Sequence, residues 1–331
     1  MIKEFQDIRT GVIGVGSMGQ NHARIYSEVS NLVAVSDSDV ETGEKIAKRF
    51  GVEYYQDYRD LVEKVDAVSL AVPTSYHKNM AVKIASMGKH ILVEKPLADD
   101  FLGAEEIVKA SEKSNIILAV GHIERHNEVV KYAKKCIAEG LWGNILTISA
   151  RRFSSFPERI HDVGVLFDLT IHDVDVISYL IDDKVCEVFA LGGKAKNNIH
   201  EDHVVLSMKF ENGLIGLCET NWLTPMKVRD ISITTDTCFV TIDYIKQEIK
   251  VLSTEYKNFD PANLFKAGLE VSEDKKSFDK IEPLRNEIVD FLSAVKENRK
   301  PLVTGDQGIN AIKIVQAGLE SIYSGEPVKL K

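Results

Sequence analysis

Residues 11–19, Gly11-Val12-Ile13-Gly14-Val15-Gly16-Ser17-Met18-Gly19, restrict this chain more than any other stretch. Three glycines spaced G-x-G-x-x-G follow an apolar run and precede a segment with helical spacing from Gln20. Each glycine meets a separate demand. Gly14 permits a tight strand-to-helix turn, Gly16 lets a pyrophosphate approach the backbone, and Gly19 lets helix and strand pack closely. The helix opening there aims unpaired N–H groups at phosphate. A carboxylate about twenty residues on completes the pattern, and here Asp37 follows the apolar run Leu32-Val33-Ala34-Val35. The stretch predicts a bound dinucleotide, with Gly14, Gly16, Ser17, Met18, Gly19 and Asp37 as its contacts.

The rest of the first third has the rhythm such a site needs. Apolar runs at 12–15, 32–35, 66–72, 90–93 and 116–120 read as buried parallel strands. Stretches 20–29, 40–50, 76–87 and 100–114 between them carry helical spacing. Repeated β-α units give an α/β fold, a doubly wound parallel sheet whose ligand crevice lies at the carboxyl ends of the strands. Asp37, Pro73-Thr74-Ser75, Glu94-Lys95-Pro96 and Gly121-His122-Ile123-Glu124-Arg125-His126-Asn127 all fall at such ends.

With 331 residues the chain is too long for one ordinary core, so a second domain is expected. After about residue 122 the rhythm changes. A helix near 127–139, a strand near 144–153 and a long helix over 164–181 precede strand-like runs at 185–192, 203–210, 214–222, 230–235 and 238–243. Consecutive strands without intervening helices mean an α+β domain with a mainly antiparallel open sheet. The expected division is 1–121 and 122–331. Residues 253–280 are polar and irregular and are given no element, and helices near 283–297 and 307–324 close the chain.

Net charge is −9, with no basic run, which argues against nucleic acid and anionic membrane surfaces as partners. The polar start is no signal peptide, and no segment has the apolar length to span a bilayer. Cys136, Cys186, Cys218 and Cys238 are scattered. Reduced thiols in a cytoplasmic protein are therefore expected, rather than disulfides or a zinc site.

Two further constellations carry chemistry. Asp168, His172 and Asp175 sit at offsets of four and seven on the long helix, which places them on one helical face. Phe167, Ile171, Val174 and Ile181 can supply its core stripe. An imidazole flanked by carboxylates is an oriented base, although a solvated polar face has the same spacing. No third or fourth ligand at convincing spacing makes this a metal site. Lys95, just past a buried strand and before Pro96, suits proton transfer or polarising a carbonyl. His200-Glu201-Asp202-His203 looks metal-like but reads as a solvated turn, and Tyr54, Tyr55 and Tyr58 read as packing.

Taken in order, G-x-G-x-x-G, Glu94-Lys95-Pro96 and Asp168-x-x-x-His172-x-x-Asp175 resemble the glucose–fructose oxidoreductase/inositol dehydrogenase family (Gfo/Idh/MocA) over essentially the whole chain. The resemblance implies a Rossmann domain, NAD as cofactor, oxidation of a sugar or cyclitol hydroxyl, and a homodimer or homotetramer built on the open sheet. It makes Lys95, Asp168 and His172 the catalytic set, with His172 the favoured base, and it implies a cis Lys95–Pro96 peptide. Pro73, Thr74, His77, Glu94 and Lys95 join the cofactor contacts, although the family's Thr-Pro-Asn-x-x-His is here Val72-Pro73-Thr74-Ser75-Tyr76-His77. The family's Gly-Gly-Gly before the helix aspartate is replaced by Asp162-Val163-Gly164. This replacement, with Arg151-Arg152 and Asn221-Trp222, resembles the branch acting on nucleotide-linked amino sugars, and C3 of a UDP-linked N-acetylated sugar is the implied position. An anionic diphosphate would give Arg125, Arg151, Arg152, Arg159, Lys227 or Arg229 a role near the substrate. Substrate contacts are then Lys95, Arg125, Arg152, Asp168 and His172. A free sugar or inositol, or a non-catalytic NAD-binding redox sensor, are the alternatives.

Overall fold

The computed structural model describes residues 4–156, 163–196, 199–257 and 268–330. The chain forms two compact units that are not consecutive in sequence: Met1–His126 with Glu282–Lys313, and Asn127–Ile281 with Ile314–Lys331. The polypeptide thus returns to the first unit near its end, which a single boundary at 121/122 does not describe.

In the first unit β1 (Phe5–Ile13), α1 (Gly19–Val29), β2 (Ser30–Ser36), α2 (Val40–Phe50), β3 (Glu53–Tyr55), α3 (Tyr58–Lys64), β4 (Ala67–Leu70), α4 (His77–Ser86), β5 (His90–Glu94), α5 (Phe101–Lys113) and β6 (Leu118–Gly121) alternate along the chain. The six strands form one parallel sheet ordered β3-β2-β1-β4-β5-β6. Every residue of β4 and β6 is buried, as expected for strands covered on both faces. The order reverses between β1 and β4, which places the crevice at their carboxyl ends. Two details differ from the sequence reading. The first strand begins at Phe5, in a polar run that hides it, and the three-residue edge strand β3 is too short to register as a period.

The second unit contains α6 (Glu128–Ala138), β7 (Ile145–Phe153), α7 (Ile171–Ile181), β8 (Val185–Gly193), β9 (His203–Phe210), β10 (Ile215–Asn221), β11 (Val228–Thr235), β12 (Phe239–Asp243), β13 (Glu248–Lys257) and β14 (Gly268–Ser277). The chain closes with α8 (Pro283–Glu297), α9 (Gly305–Ser324) and β15 (Val328–Lys329). Nine strands form one sheet, β14-β13-β12-β11-β7-β10-β9-β8-β15. All its pairs are antiparallel except β7 with β10. β9 alternates exposed and buried residues, the signature of a sheet with one face covered and one open.

The stretch left unassigned at 253–280 contains most of the β13–β14 edge hairpin. Its pairing runs in unbroken register from Glu248↔Ser277 to Lys257↔Gly268. Cross-strand Lys250–Glu273 (2.8 Å), Lys275–Glu248 (2.6 Å) and Ser253–Ser272 (2.6 Å) contacts tie it together. These polar pairs replace apolar alternation and blunt the edge, so the usual strand signal is missing.

Helix α8 belongs to the first unit. Leu284, Ile288, Phe291 and Leu292 pack into the same core as Phe5, Tyr26 and Val29. All four cysteines are free, and among the described residues no helix is long and apolar enough to cross a membrane.

Candidate active site

The glycine loop has the geometry its spacing demands. Gly14 adopts φ +81° and donates its N–H to Ser36 O at 2.8 Å. A Cβ at Gly19 would lie 1.8 Å from Gly14 O, whereas a Cβ at Gly16 would meet nothing within 4 Å. Close packing on one side and open space on the other fit a pyrophosphate approaching Gly16. Helix α1 begins at Gly19 after Ser17 and Met18, with no side-chain cap, while Gln20 N and Asn21 N donate to Gly16 O and Met18 O at 3.1 and 2.9 Å.

Asp37, next after β2, accepts from Val15 N through Oδ2 (2.8 Å) and from Asp39 N through Oδ1 (3.0 Å). Each oxygen keeps a lone pair, so the carboxylate is aimed and still able to accept a ribose hydroxyl. Tyr54 donates its hydroxyl to Asp37 O at 3.0 Å, and a Cβ at Gly43 would lie 2.1 Å from its ring. Tyr54 therefore braces the Asp37 turn against α2, a role that reading it as packing alone misses.

At the end of β4, Pro73 leads into a 3₁₀ turn, Thr74–Tyr76, that feeds α4. His77 is buried at 1 % exposure. Its Nδ1 lies 2.9 Å from Pro96 O and its Nε2 2.9 Å from Val72 O. Burial pushes its pKa below the ordinary value although both carbonyls and the Glu94 charge pull the other way. His77 thus joins the loops after β4 and β5, with both ring nitrogens directed at backbone oxygens.

Glu94 ends β5, and the Lys95–Pro96 peptide is cis. Glu94 accepts from His22 Nε2 (2.8 Å) and from Lys95 N (3.1 Å). Gly121 on the neighbouring strand makes room for it, since a Cβ there would lie 3.0 Å from Glu94 Oε2. Lys95 is half-buried. Arg125 sits on the turn Ile123–His126 at 3 % exposure, so it is no surface charge.

In the second unit the expected single helix over 164–181 starts with a π-helical turn, Leu166–Thr170, before α7. Asp168 lies in that turn and His172 in the α-helix proper. A π turn reaches i→i+5 rather than i→i+4, so offsets of four and seven do not by themselves put Asp168, His172 and Asp175 on one face. Asp168 and His172 are half-buried and Asp175 is buried. Buried residues surround α7, including Ile171, Val174, Val176, Ile177 and Leu180 together with Asp173 and Asp175. It is a core helix rather than a one-stripe amphipathic one.

Glu201 and Asp202 are buried rather than solvated, at 6 % and 0 % exposure. Glu201 accepts from Leu166 N through Oε1 (3.1 Å) and from Val165 N through its carbonyl (3.0 Å), placing a carboxylate at the positive end of the helix. Gly164 is what admits it, because a Cβ there would lie 2.1 Å from Glu201 Oε1. Asp202 gathers Ala195 N (2.8 Å), Lys196 N (2.6 Å) and His203 Nδ1 (2.9 Å).

Neighbours Arg151 and Arg152 point to opposite faces of β7, as strand period two requires. Arg151 pairs with Asp230 at 2.9 Å on the open face. Arg152 pairs with Asp173 of α7 at 2.8 Å, both at 2 % exposure. Arg152 is therefore engaged inside the unit, and the sequence contained no sign of Asp173 as its partner. Lys227 is exposed and Arg229 half-buried, while Arg159 lies outside the described residues.

Comparison with known proteins accords with this geometry. A family profile described as "Oxidoreductase family, NAD-binding Rossmann fold" matches residues 8–122, and the GFO/IDH/MocA C-terminal domain matches residues 130–240. UDP-N-acetylglucosamine 3-dehydrogenase of Acidithiobacillus ferrooxidans is 27% identical over 91% of this chain and 93% of its own. Its solved structure superimposes with a TM-score of 0.87 at 26% identity, covering 98% of this chain and 99% of that one. Myo-inositol 2-dehydrogenase of Thermotoga maritima is also 27% identical, over 98% of this chain and 99% of its own. The chain belongs to the Gfo/Idh/MocA oxidoreductase family and is an NAD-dependent dehydrogenase acting on CH–OH groups.

Proposed function

We propose that this dehydrogenase oxidises C3 of a UDP-linked N-acetylated sugar to a ketone. The observation that carries the reading is end-to-end likeness, in sequence and in structure, to UDP-N-acetylglucosamine 3-dehydrogenase of Acidithiobacillus ferrooxidans. NAD, held by Gly14, Gly16, Ser17, Met18, Gly19 and Asp37, supplies the hydride acceptor. In this reading His172 removes the hydroxyl proton, Asp168 orients the imidazole, and the Lys95 ammonium polarises the reacting oxygen. The residues this reading assigns to the substrate are Lys95 and Arg125 of the first unit and Asp168 and His172 of the second. Arg152, already held by Asp173, supports α7 instead of reading a phosphate.

A free cyclitol is the second reading, favoured by equal identity to myo-inositol 2-dehydrogenase. The two are separated by offering UDP-N-acetylglucosamine, free N-acetylglucosamine and myo-inositol at equal concentration and following NADH absorbance. A carbonyl trap must be present, because an unfavourable 3-keto product would otherwise hide turnover. NADH formation with the nucleotide sugar alone is expected. Turnover of a free polyol with none of the nucleotide sugar would remove the first reading and support the second.

A further inference from the structure

One group of three metal-capable side chains lies together among the described residues: His22 of α1, Glu94 of β5 and Glu287 of α8, with ligand atoms within 4.8 Å of one another. All three belong to the first unit. The reaction proposed above uses neither His22 nor Glu287.

The hydrogen bonds around Glu94 run in one direction. Its carboxylate can only accept, so His22 Nε2–H donates to it at 2.8 Å. His22 Nδ1 then accepts from the Ser69 hydroxyl at 2.9 Å, and Ser69 Oγ in turn accepts from Tyr26 OH at 2.8 Å. The Lys95 N–H completes Glu94 from the other side. Every polar atom in that chain is used while Glu94 is ionised.

Glu287 stands outside it. The residue is 2 % exposed, and neither carboxyl oxygen has a hydrogen-bond partner among the described residues. Several titratable groups surround it: Tyr26 and His22 from α1, Glu94 from β5, and Asp290 on its own helix. The Ile123–His126 turn packed against α8 contributes Glu124, Arg125 and His126, none of which hydrogen-bonds to it. Two carboxylates this close in a dry site cannot both be charged.

We propose that Glu287 is a proton-carrying positioning residue: an unionised carboxylic acid beside the His22–Glu94 pair that holds Glu94, and through it the backbone of Lys95, in working position. Burial, then the charges of Glu94 and Asp290, push the Glu287 carboxyl well above the usual range. Burial raises Glu94 too, but the hydrogen bond from His22, the charge of Lys95 and the Lys95 backbone N–H outweigh it and hold Glu94 below its ordinary value. Neighbouring carboxyls pushed in opposite directions divide the roles of acid and base between them. A metal fits less well, because only three donors converge and both ring nitrogens of His22 already have partners. The link to Lys95 rests on the catalytic role proposed above, whereas the protonation of Glu287 does not.

The test compares the full-length protein with Glu287→Gln and Glu287→Leu. Infrared difference spectra of the protein at neutral pH should show the carbonyl stretch of an unionised buried carboxylic acid, absent in Glu287→Gln. Thermal stability supplies the sign. A raised folded-state pKa gives stability that is present below the ordinary carboxylate range and lost as pH rises toward the folded value. Glutamine has no such dependence, so the Tm advantage of Glu287→Gln should grow from about pH 5 to about pH 8. In turnover, Glu287→Leu should lower kcat roughly tenfold through misplacement of Lys95, with KM for NAD unchanged and Gln restoring the rate. The proposal is overturned by a missing carboxylic-acid band, or by a pH-independent Tm loss in Glu287→Gln. A Tm rise on adding Zn²⁺ or Mg²⁺ that Glu287→Gln abolishes would also overturn it, since the carboxyls would then be ionised around a cation. Leu variants with unchanged kcat would remove the positioning role. The infrared and thermal readouts need no substrate, so failure of the substrate assignment leaves them decisive.

Discussion

At the scale of single residues, the cofactor side of the site is governed by Asp37. Its carboxylate is aimed by Val15 N and Asp39 N, leaving lone pairs for ribose hydroxyls and a negative charge that repels a 2′-phosphate. Kinetics should therefore favour NAD over NADP, and Asp37→Ser should narrow that preference. Equal kcat/KM for the two cofactors in the unaltered protein would contradict this role. Lys95→Ala and His172→Ala should each lower turnover by roughly 10²-fold or more while NAD affinity, measured by calorimetry, stays close to normal. Near-normal turnover in either variant would reduce that residue to a neighbour of the chemistry. Arg152 shows why residue type alone misleads: one position apart on β7, Arg151 lies on the open face and Arg152 is sealed against Asp173.

At the scale of elements, α7 depends on what its N-terminus meets. The Glu201 carboxylate occupies the space that Gly164 leaves and caps Leu166 N. Glu201→Ala should cost about 1–2 kcal/mol, as loss of a helix cap does. Gly164→Ala should cost a similar amount, because its Cβ displaces the same carboxylate. Both effects pass through one contact, so the double variant should be little worse than either single one. Additive losses in denaturant unfolding would show that Gly164 and Glu201 act independently. Asp168 lies in the π-helical turn that this cap starts, which ties the cap to the proposed acid–base pair.

At the scale of the molecule, the nine-stranded sheet keeps one open face. Leu191 and Val205 stand opposite each other on β8 and β9, and Ile215 adds to the same surface from β10. They are 61%, 52% and 45% exposed. Apolar residues on an open sheet face favour burial against a second copy, in keeping with the homodimer or homotetramer that the family resemblance implies. Sedimentation should detect an oligomer, and Val205→Lys with Ile215→Lys should shift it toward monomer without altering the circular dichroism. A protein that is monomeric at micromolar concentration before any substitution would refute this assembly.

Local chemistry was enough to read much of this protein. The glycine spacing, the apolar strands and Asp37 specify a nucleotide-binding turn through conformational and packing demands that act within some thirty residues. Consecutive strand-like runs without intervening helices likewise announce the mainly antiparallel sheet of the second unit. Other features depend on partners distant in sequence. The β13–β14 hairpin is joined by a continuous backbone ladder and carries cross-strand charge pairs where a strand signal would need a periodic apolar face. Glu201 and Asp202 look like a wet acidic turn until the backbone N–H groups that bury them are in place. Arg152 needs Asp173, Tyr54 needs the Asp37 turn, and Glu287 meets His22 and Glu94 only because α8 packs against α1. Which polar side chains are satisfied inside the protein, and which remain for a ligand, is settled by burial and by long-range hydrogen bonds, and those exist only in the folded chain.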